Sequence, residues 1–479
     1  MKFYSLSSGV VNHLLSDREG RELDLPFEVT DQEMEIIIQH RSSFIVGRSG
    51  TGKTTGLTMK LFQKEQWHHL ALQGCSVIEN STAEQSSAAT EGKVIRQLFV
   101  TVSPKLCFAI KQHVTHLKRF ACGGSHSAQR SLIDMIDFDE EESQFKDIQD
   151  SFHDIPPSYY PLVITFHKFL MMLDGTLSNS YFSRFQDASI PHDQLRNSRS
   201  VAFQAFFRTK EVNYEQFSSL YWPHFNTQLT KNLDAACVFT EIISHIKGGL
   251  GAIEACDGKL SQEDYVKLSE GRSSDITKPK REQIYEIFQD YEKMKMGNGE
   301  FDMADFVIDL QRRLKHEKYV GDQMDFIYID EVKDLTMSQL ALFKHMCNTV
   351  DEGFVFSGDT AQTIARGTDF RFQDIRHLFY KNLCWSQELI SMRIEKTKGQ
   401  ISEVYHLTQN IHTHAGILKL SQSIIELIYR FFPFSIDVLK PESSLIYGEA
   451  PVVLESGENE NAIIKRFGNS GNIVGFGAE

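Results

Sequence analysis

Eight consecutive residues near the start of the chain, Gly47-Arg48-Ser49-Gly50-Thr51-Gly52-Lys53-Thr54, put three glycines, a lysine and a hydroxyl at fixed spacing. Glycines so placed let backbone N–H groups curl around an anion, a concavity that suits phosphate. The pattern Gly-x-x-x-x-Gly-Lys-Thr carries meaning where a strand precedes it and a helix follows. Here Ser43-Phe44-Ile45-Val46 is an apolar run of strand length, and Leu57 to Lys64 reads as helical. The loop, extended to Thr55, therefore fits the phosphates of a nucleotide, with the dipole of the helix N-terminus adding to the attraction. Lys53 would reach the β- and γ-phosphates, and the Thr54 hydroxyl would ligate Mg²⁺.

Such a site needs acids at a second strand end. Asp330-Glu331 follows the apolar run Phe326-Ile327-Tyr328-Ile329. Asp330 is the candidate for holding Mg²⁺. Glu331 is the candidate for polarising an attacking water, a base role worth about 10²–10⁴ in rate. Taken alone, a carboxylate pair at a strand end would read as solvated acid; beside the phosphate loop it reads as the second half of an ATP site with ATP and Mg²⁺ as its cofactors.

Further strand-length runs are Gln97-Leu98-Phe99-Val100-Thr101-Val102, Leu162-Val163-Ile164-Thr165-Phe166 and Gly353-Phe354-Val355-Phe356-Ser357. Continuous apolar strands that end in polar turns imply an α/β fold with a parallel sheet covered on both faces. In such sheets ligands sit at the carboxyl ends of the strands, where these motifs fall. The expected organisation has an N-terminal segment over 1–24 and the first part of the phosphate-binding domain over 25–175. Polar insertions at 74–92 and 121–158 read as surface or disordered segments. A helical domain is inserted over 176–318, illustrated by Lys280 to Tyr291, and the first domain resumes over 319–401. A new unit starts at 402 with a helix around Ile417 to Phe432, and runs only to 479.

Seven cysteines are scattered without a Cys-x-x-Cys pair, which fits reduced thiols better than a disulfide frame or zinc site. Met1 to Leu6 is soon followed by Asn12, His13, Asp17 and Arg18, so no signal-peptide core is evident. No apolar run approaching the ~20 residues needed to span a bilayer is expected. These features point to a nuclear or cytoplasmic protein that is not secreted and has no membrane partner. A net charge of −14 argues against broad charge-driven coating of nucleic acid, which needs a basic surface, but leaves room for a local basic groove.

The remaining motifs carry a resemblance. Ile164-Thr165-Phe166-His167-Lys168-Phe169 resembles the Thr-Phe-His motif of UvrD/Rep helicases of superfamily 1, and Ile329-Asp330-Glu331-Val332-Lys333-Asp334 their Asp-Glu-x-Gln-Asp motif. Ser357-Gly358-Asp359-Thr360-Ala361-Gln362 resembles their Gly-Asp-x-x-Gln motif, and Leu407 to Thr413 the first motif of their second motor domain. Weaker matches are Thr101 to Lys105, Ser244-His245-Ile246-Lys247 and Phe301-Asp302-Met303-Ala304-Asp305-Phe306. The order matches the family from about residue 25 to 420, and the likeness extends to the UvrD-like domain of large eukaryotic proteins carrying TPR and ankyrin repeats.

The resemblance implies a RecA-like P-loop NTPase sheet with an inserted helical domain and an incomplete second RecA-like domain. It implies that Gln32 reads adenine, although an exposed helix glutamine fits equally. Gln362 joins Lys53 and Glu331 in the catalytic group by coupling the γ-phosphate to strand binding. Thr165, Phe166 and His167 are implied contacts to single-stranded DNA or RNA, where stacking on an aromatic is worth ~1–3 kcal/mol per base; a core role for Phe166 is the competing reading. A place within a larger multidomain protein is also implied.

Three positions depart from the family. Lys333 replaces a glutamine, Ile411 replaces an aromatic that stacks on adenine, and His412 replaces an arginine that contacts the γ-phosphate. Arginine carries a permanent charge on a planar fork, whereas histidine is mostly neutral at pH 7. Two functions follow: a helicase-type ATP-binding and hydrolysing domain with weak turnover in this chain, or a nucleotide-binding interaction module that has lost turnover.

Overall fold

The apolar runs picked out in the sequence become strands of one sheet, with bounds within a residue of those expected. The computed structural model describes residues 30–79, 94–121, 145, 148–182, 209–271, 276–362, 367–379, 404–432, 436–449 and 451. The strands are β1 (Ser43–Gly47), β2 (Gln97–Thr101), β3 (Leu162–Thr165), β4 (Phe326–Ile329), β5 (Phe354–Gly358) and β6 (Val404–Leu407). Their order is β3-β2-β4-β5-β1-β6, and every pairing is parallel. β1, β2, β3 and β5 are buried at every position, as sequences apolar on both faces demand.

Helices α1 (Asp31–Ile38), α2 (Lys53–Glu79), α3 (Pro104–Ala121) and α4 (Phe166–Thr176) complete the sheet body. Ile36, Leu57, Leu61, Cys107, Ile110, Val114 and Phe169 pack in one core with the strands. α1 begins at a capping box, in which the Thr30 hydroxyl accepts from the Glu33 amide and the Glu33 carboxylate accepts from the Thr30 amide, satisfying two donors that a helix start otherwise leaves open. Lys60 of α2 caps the other end of α1, donating to the carbonyls of Ile36 and Gln39.

The inserted helices form a second core. It includes Val212, Phe217 and Tyr221, residues of α5 (Ala235–Thr240), and Ile284, Ile287, Phe288 and Tyr291 of α6 (Lys278–Gly297). The following helix, α7 (Met303–His316), sends Phe306, Val307, Leu310 and Leu314 into the larger core. The insert's own packing thus ends before α7 rather than at 318.

Four further expectations change. Residues 74–79 continue α2 instead of opening a polar loop, and 80–92 lie outside the described residues, as does the 1–24 segment. In the stretch 121–158, Phe145, Ile148, Phe152 and Ile155 are core residues, so its second half is anchored by apolar side chains. Strand β6, assigned by sequence to a second domain starting at 402, is the sixth strand of the first sheet, with Val46 paired to His406. Finally, one stretch, Ala235–Glu254, is long and apolar enough to cross a membrane by length and composition, but 61% of it is buried inside the fold. Beyond β6 the chain continues into α8 (Ala415–Phe431), which buries only Gly416 and Leu418.

Candidate functional site

With β4, β5 and β1 side by side, the segments leaving their carboxyl ends meet: Asp330-Glu331, Asp359 and the loop 47–54. The glycines of the loop are required by its path. Gly50 and Gly52 have φ of 81° and 87°, the left-handed region that only glycine enters freely. A Cβ on Gly50 would stand 2.9 Å from Asn410 Oδ1, and one on Gly52 would collide with the Glu33 carboxylate. Lys53 is buried and runs back along the loop, its Nζ donating to the carbonyls of Gly47 (2.8 Å) and Arg48 (3.0 Å). The Thr51 hydroxyl donates to the same Arg48 carbonyl at 2.8 Å. Ser49 is exposed, and Thr54 and Thr55 are half-buried.

The two motifs read as a single site touch directly. Thr54 Oγ1 donates to Asp330 Oδ2 at 2.5 Å across a separation of 276 residues. Asp330 is fully buried, and its other oxygen accepts from the Ser357 hydroxyl and from the Glu331 amide. A hydroxyl and a carboxylate presented together, each held by its own strand end, are the hard oxygen donors Mg²⁺ prefers, so the residues fit the ion. Glu331 follows with a left-handed φ of 57°. Burial raises its pKa, and the adjacent Asp330 charge raises it further, against the opposing pull of Lys333 and Lys53.

Lys333, at the position where the resembling family has glutamine, is buried and ties this corner together. Its ammonium lies 3.4 Å from Glu331 and 3.2 Å from Asp334, and donates to the backbone carbonyl of Gln362. Gln362 is joined to the site through this backbone contact, while the residue itself is exposed. Gln32 is committed elsewhere: its Nε2 donates to the Thr408 hydroxyl and its Oε1 accepts from the Thr408 amide, both at 2.9 Å. It borders a cleft of about 240 Å³ together with Glu35, Ile36, Val404, Tyr405, His406 and Lys440.

The Thr-Phe-His trio divides. Thr165 is fully buried and its hydroxyl caps α4 by accepting from the Lys168 amide at 3.1 Å. Phe166 is only 6% exposed and packs against Phe169 and Phe343, which is the core reading rather than a ring open to a base. His167 is half-buried. Two weaker motifs left without a role in the sequence prove to be partners. Lys247 is fully buried and meets Asp302 at 2.6 Å, Asp305 at 2.6 Å and Glu292 at 3.2 Å. Lys295 joins the same carboxylates, so this cluster is a charge-compensated weld between α6 and the start of α7.

Spacing alone did not reveal the residues that close over the loop from downstream. Asn410 Nδ2 donates to the Ser49 carbonyl and the Ile411 amide to the Gly50 carbonyl, both at 2.9 Å. His412 sits beside them, exposed, 3.0 Å from where a Cβ on Gly50 would stand. The motif Leu407 to Thr413 was the available signal, although its register against the loop could not be read from sequence.

Residues 93–378, more than half of the chain, match the family described as UvrD/REP helicase N-terminal domain. The loop 47–54 lies before that stretch. TPR and ankyrin repeat-containing protein 1 of Homo sapiens is 25% identical over an alignment covering 95% of this chain and 18% of that protein. The chain thus spans about a fifth of the length of this curated relative. By the family match and the sheet that carries its motifs, the chain belongs to the UvrD/REP helicase N-terminal domain family, and its function is of the helicase ATP-binding type.

Proposed function

We propose that this chain binds Mg·ATP in the loop 47–54, hydrolyses it slowly, and makes a salt-sensitive contact with single-stranded nucleic acid. The observation that carries the reading is the 2.5 Å contact between Thr54 and Asp330, which joins two prospective metal ligands beside Lys53. In this reading Lys53 leaves the loop carbonyls for the β- and γ-phosphates, and Glu331 takes the proton of the attacking water. Titration with a fluorescent ATP analogue tests it. Lys53→Ala should weaken binding at least tenfold in the presence of Mg²⁺, and unchanged affinity in the folded variant would overturn the assignment. The nucleic-acid contact falls to His167 rather than Phe166, because His167 is half-buried whereas Phe166 is only 6% exposed. Affinity for a single strand that held steady from about 50 to 200 mM salt would contradict phosphate contacts.

A second reading, a nucleotide-dependent interaction module without appreciable turnover, is favoured by two observations. Lys333 holds the prospective base in an ion pair, and His412 occupies the position docked over the loop. Inclusion within a longer multidomain protein, and a nuclear or cytoplasmic location, belong to both readings. Steady-state phosphate release, with and without single-stranded DNA or RNA, separates them.

A further inference from the structure

Arg48 is the residue of the phosphate loop that no phosphate chemistry requires, yet it is the most heavily engaged. Its guanidinium is buried, with the residue 7% exposed. Nη1 meets Asp359 Oδ1 at 2.5 Å; Nη2 donates to the Tyr429 hydroxyl at 2.6 Å and to the Asp437 carbonyl at 3.2 Å. Asp359 leaves β5 and Tyr429 lies on α8, so one side chain joins the loop, the central sheet and the downstream helix. The partners are themselves braced. The Tyr429 hydroxyl accepts from the Leu439 amide at 3.0 Å, and the Asp437 amide donates to the Thr360 hydroxyl at 2.9 Å.

Few apolar contacts hold this helix. α8 buries Gly416 and Leu418, while Ile417, Leu420, Ile424, Leu427 and Phe431 are exposed. A helix docked with little apolar burial depends on its polar contacts to an unusual degree. Bidentate-capable arginine pairs of this kind combine geometric specificity with charge-assisted strength.

We propose that Arg48 is a positioning residue that couples phosphate binding to the docking of α8. The inference rests on the reading of 47–54 as an ATP site. The downstream contacts engage the outside of the loop: the Arg48 side chain and the carbonyls of Ser49 and Gly50. Phosphate engages the inside, through N–H groups and Lys53. The two sets do not compete, so each fixes the loop for the other. A loop already ordered from outside loses less freedom when its ligand binds, which is positive coupling without a shared contact. Before phosphate binds, the Lys53 ammonium donates to the Arg48 carbonyl at 3.0 Å; when it turns to the phosphates, the Arg48 side chain and its downstream partners keep that stretch of the loop in place. By reciprocity, the factor by which α8 docking tightens ATP binding equals the factor by which ATP tightens the docking.

The test is hydrogen–deuterium exchange of amides 415–431 in the full chain, with and without ATP and Mg²⁺, alongside ATP affinity. Two variants are compared: Arg48→Lys, which keeps the charge but loses the fork, and Tyr429→Phe, which removes one hydroxyl and keeps the ring. In the native chain Mg·ATP should slow exchange across α8 by about threefold to tenfold. Both variants should lose that ATP dependence and bind ATP more weakly by a similar factor. A merely structural arginine would change basal exchange but leave the ATP-dependent difference intact, and that result overturns the proposal. So does native-like ATP affinity in a folded Tyr429→Phe whose α8 exchanges independently of ATP. If the native chain binds no ATP, the reading on which the coupling rests falls with it; if it does and only the coupling is absent, the ATP site stands alone.

Discussion

Position 412 offers the most direct way to ask whether this site is short of one positive charge. His412 is exposed and docked over the loop by its neighbours: the Ile411 amide donates to the Gly50 carbonyl at 2.9 Å, and the His412 amide to Asn410 Oδ1 at 3.0 Å. The position is exposed, and in the proposed reading an arginine there extends toward the γ-phosphate. Two unit charges ~4 Å apart at an effective dielectric of about 20 interact by ~4 kcal/mol. Only the part gained in the transition state speeds the reaction, and the exposure of position 412 screens it further. Taking about a third leaves ~1.4 kcal/mol, or a tenfold rise in kcat. His412→Arg should therefore raise steady-state phosphate release about tenfold, and should do nothing in a Glu331→Gln background. Ile411→Tyr should not accompany it, because Ile411 is buried and a larger ring there would overpack the site at a cost of ~1–3 kcal/mol. A folded His412→Arg protein with native ATP affinity and kcat within twofold of native would refute the argument that 412 faces the reacting phosphate. Native turnover of several per second would refute the premise of an impaired site.

Other perturbations test the frame. Lys247→Met strands Asp302 and Asp305 without one of their two ammonium partners, a loss of ~3–5 kcal/mol by the measure of broken buried pairs, readable as a lower urea midpoint. Burial alone would raise the Asp302 pKa, but Lys247 and Lys295 hold it well below the carboxylate range; Glu292, half-buried beside the same lysines, is lowered to about 2. Folded values below the unfolded ones mean that this stabilisation is present above pH ~4.5 and is lost as pH falls toward 2; acid titration of Tm should show the decline, and a flat profile would contradict it. Gly50→Ala, at φ 81° and against Asn410, should weaken ATP binding and α8 protection together, as titration and exchange will report. Phe166→Ala should cost ~3–5 kcal/mol of stability as a core truncation, whereas His167→Ala should spare Tm and weaken strand binding in a fluorescence anisotropy assay; the reverse pattern would return the strand contact to Phe166.

The sheet and the glycine-rich loop were legible because each depends on local chemistry. Phe44-Ile45-Val46 and Leu98-Phe99-Val100 announce buried strands by composition, and Gly50, Gly52 and Lys53 announce their loop by spacing. Strand β6 was not picked out, and its residues were placed in the unit starting at 402, because Val404-Tyr405-His406 is only half-buried at the sheet edge and does not advertise membership of that core. Phe152 and Ile155 were hidden in a polar stretch whose anchoring shows only once Thr176 accepts a place beside them, its hydroxyl receiving the Phe152 amide at 2.8 Å. The pairing of Arg48 with Asp359, 311 residues apart, and of Lys333 with Gln362, depends on strand order. Composition constrains that order weakly, and the parallel crossovers leave several orders open.

The position of β1 has a consequence for synthesis. It is the fifth strand in space, flanked by β5 and β6, yet it is the first of the described strands in the chain. Ser43 pairs with Val355 and Phe44 with Val404, so neither neighbour exists until roughly 300 further residues are made. At about 5–20 residues per second that is a wait of roughly 15–60 s. Throughout it, Phe44-Ile45-Val46 is an apolar segment with both edges unpaired, prone to associate with other nascent chains. The region around β2, β3 and β4 can assemble earlier, and the loop 47–54 acquires its shape only when the late strands arrive. A ribosome stalled before β5 would carry a half-built sheet in which the loop 47–54 lacks its neighbours, and chaperone binding to the nascent chain should fall sharply once β6 clears the exit tunnel.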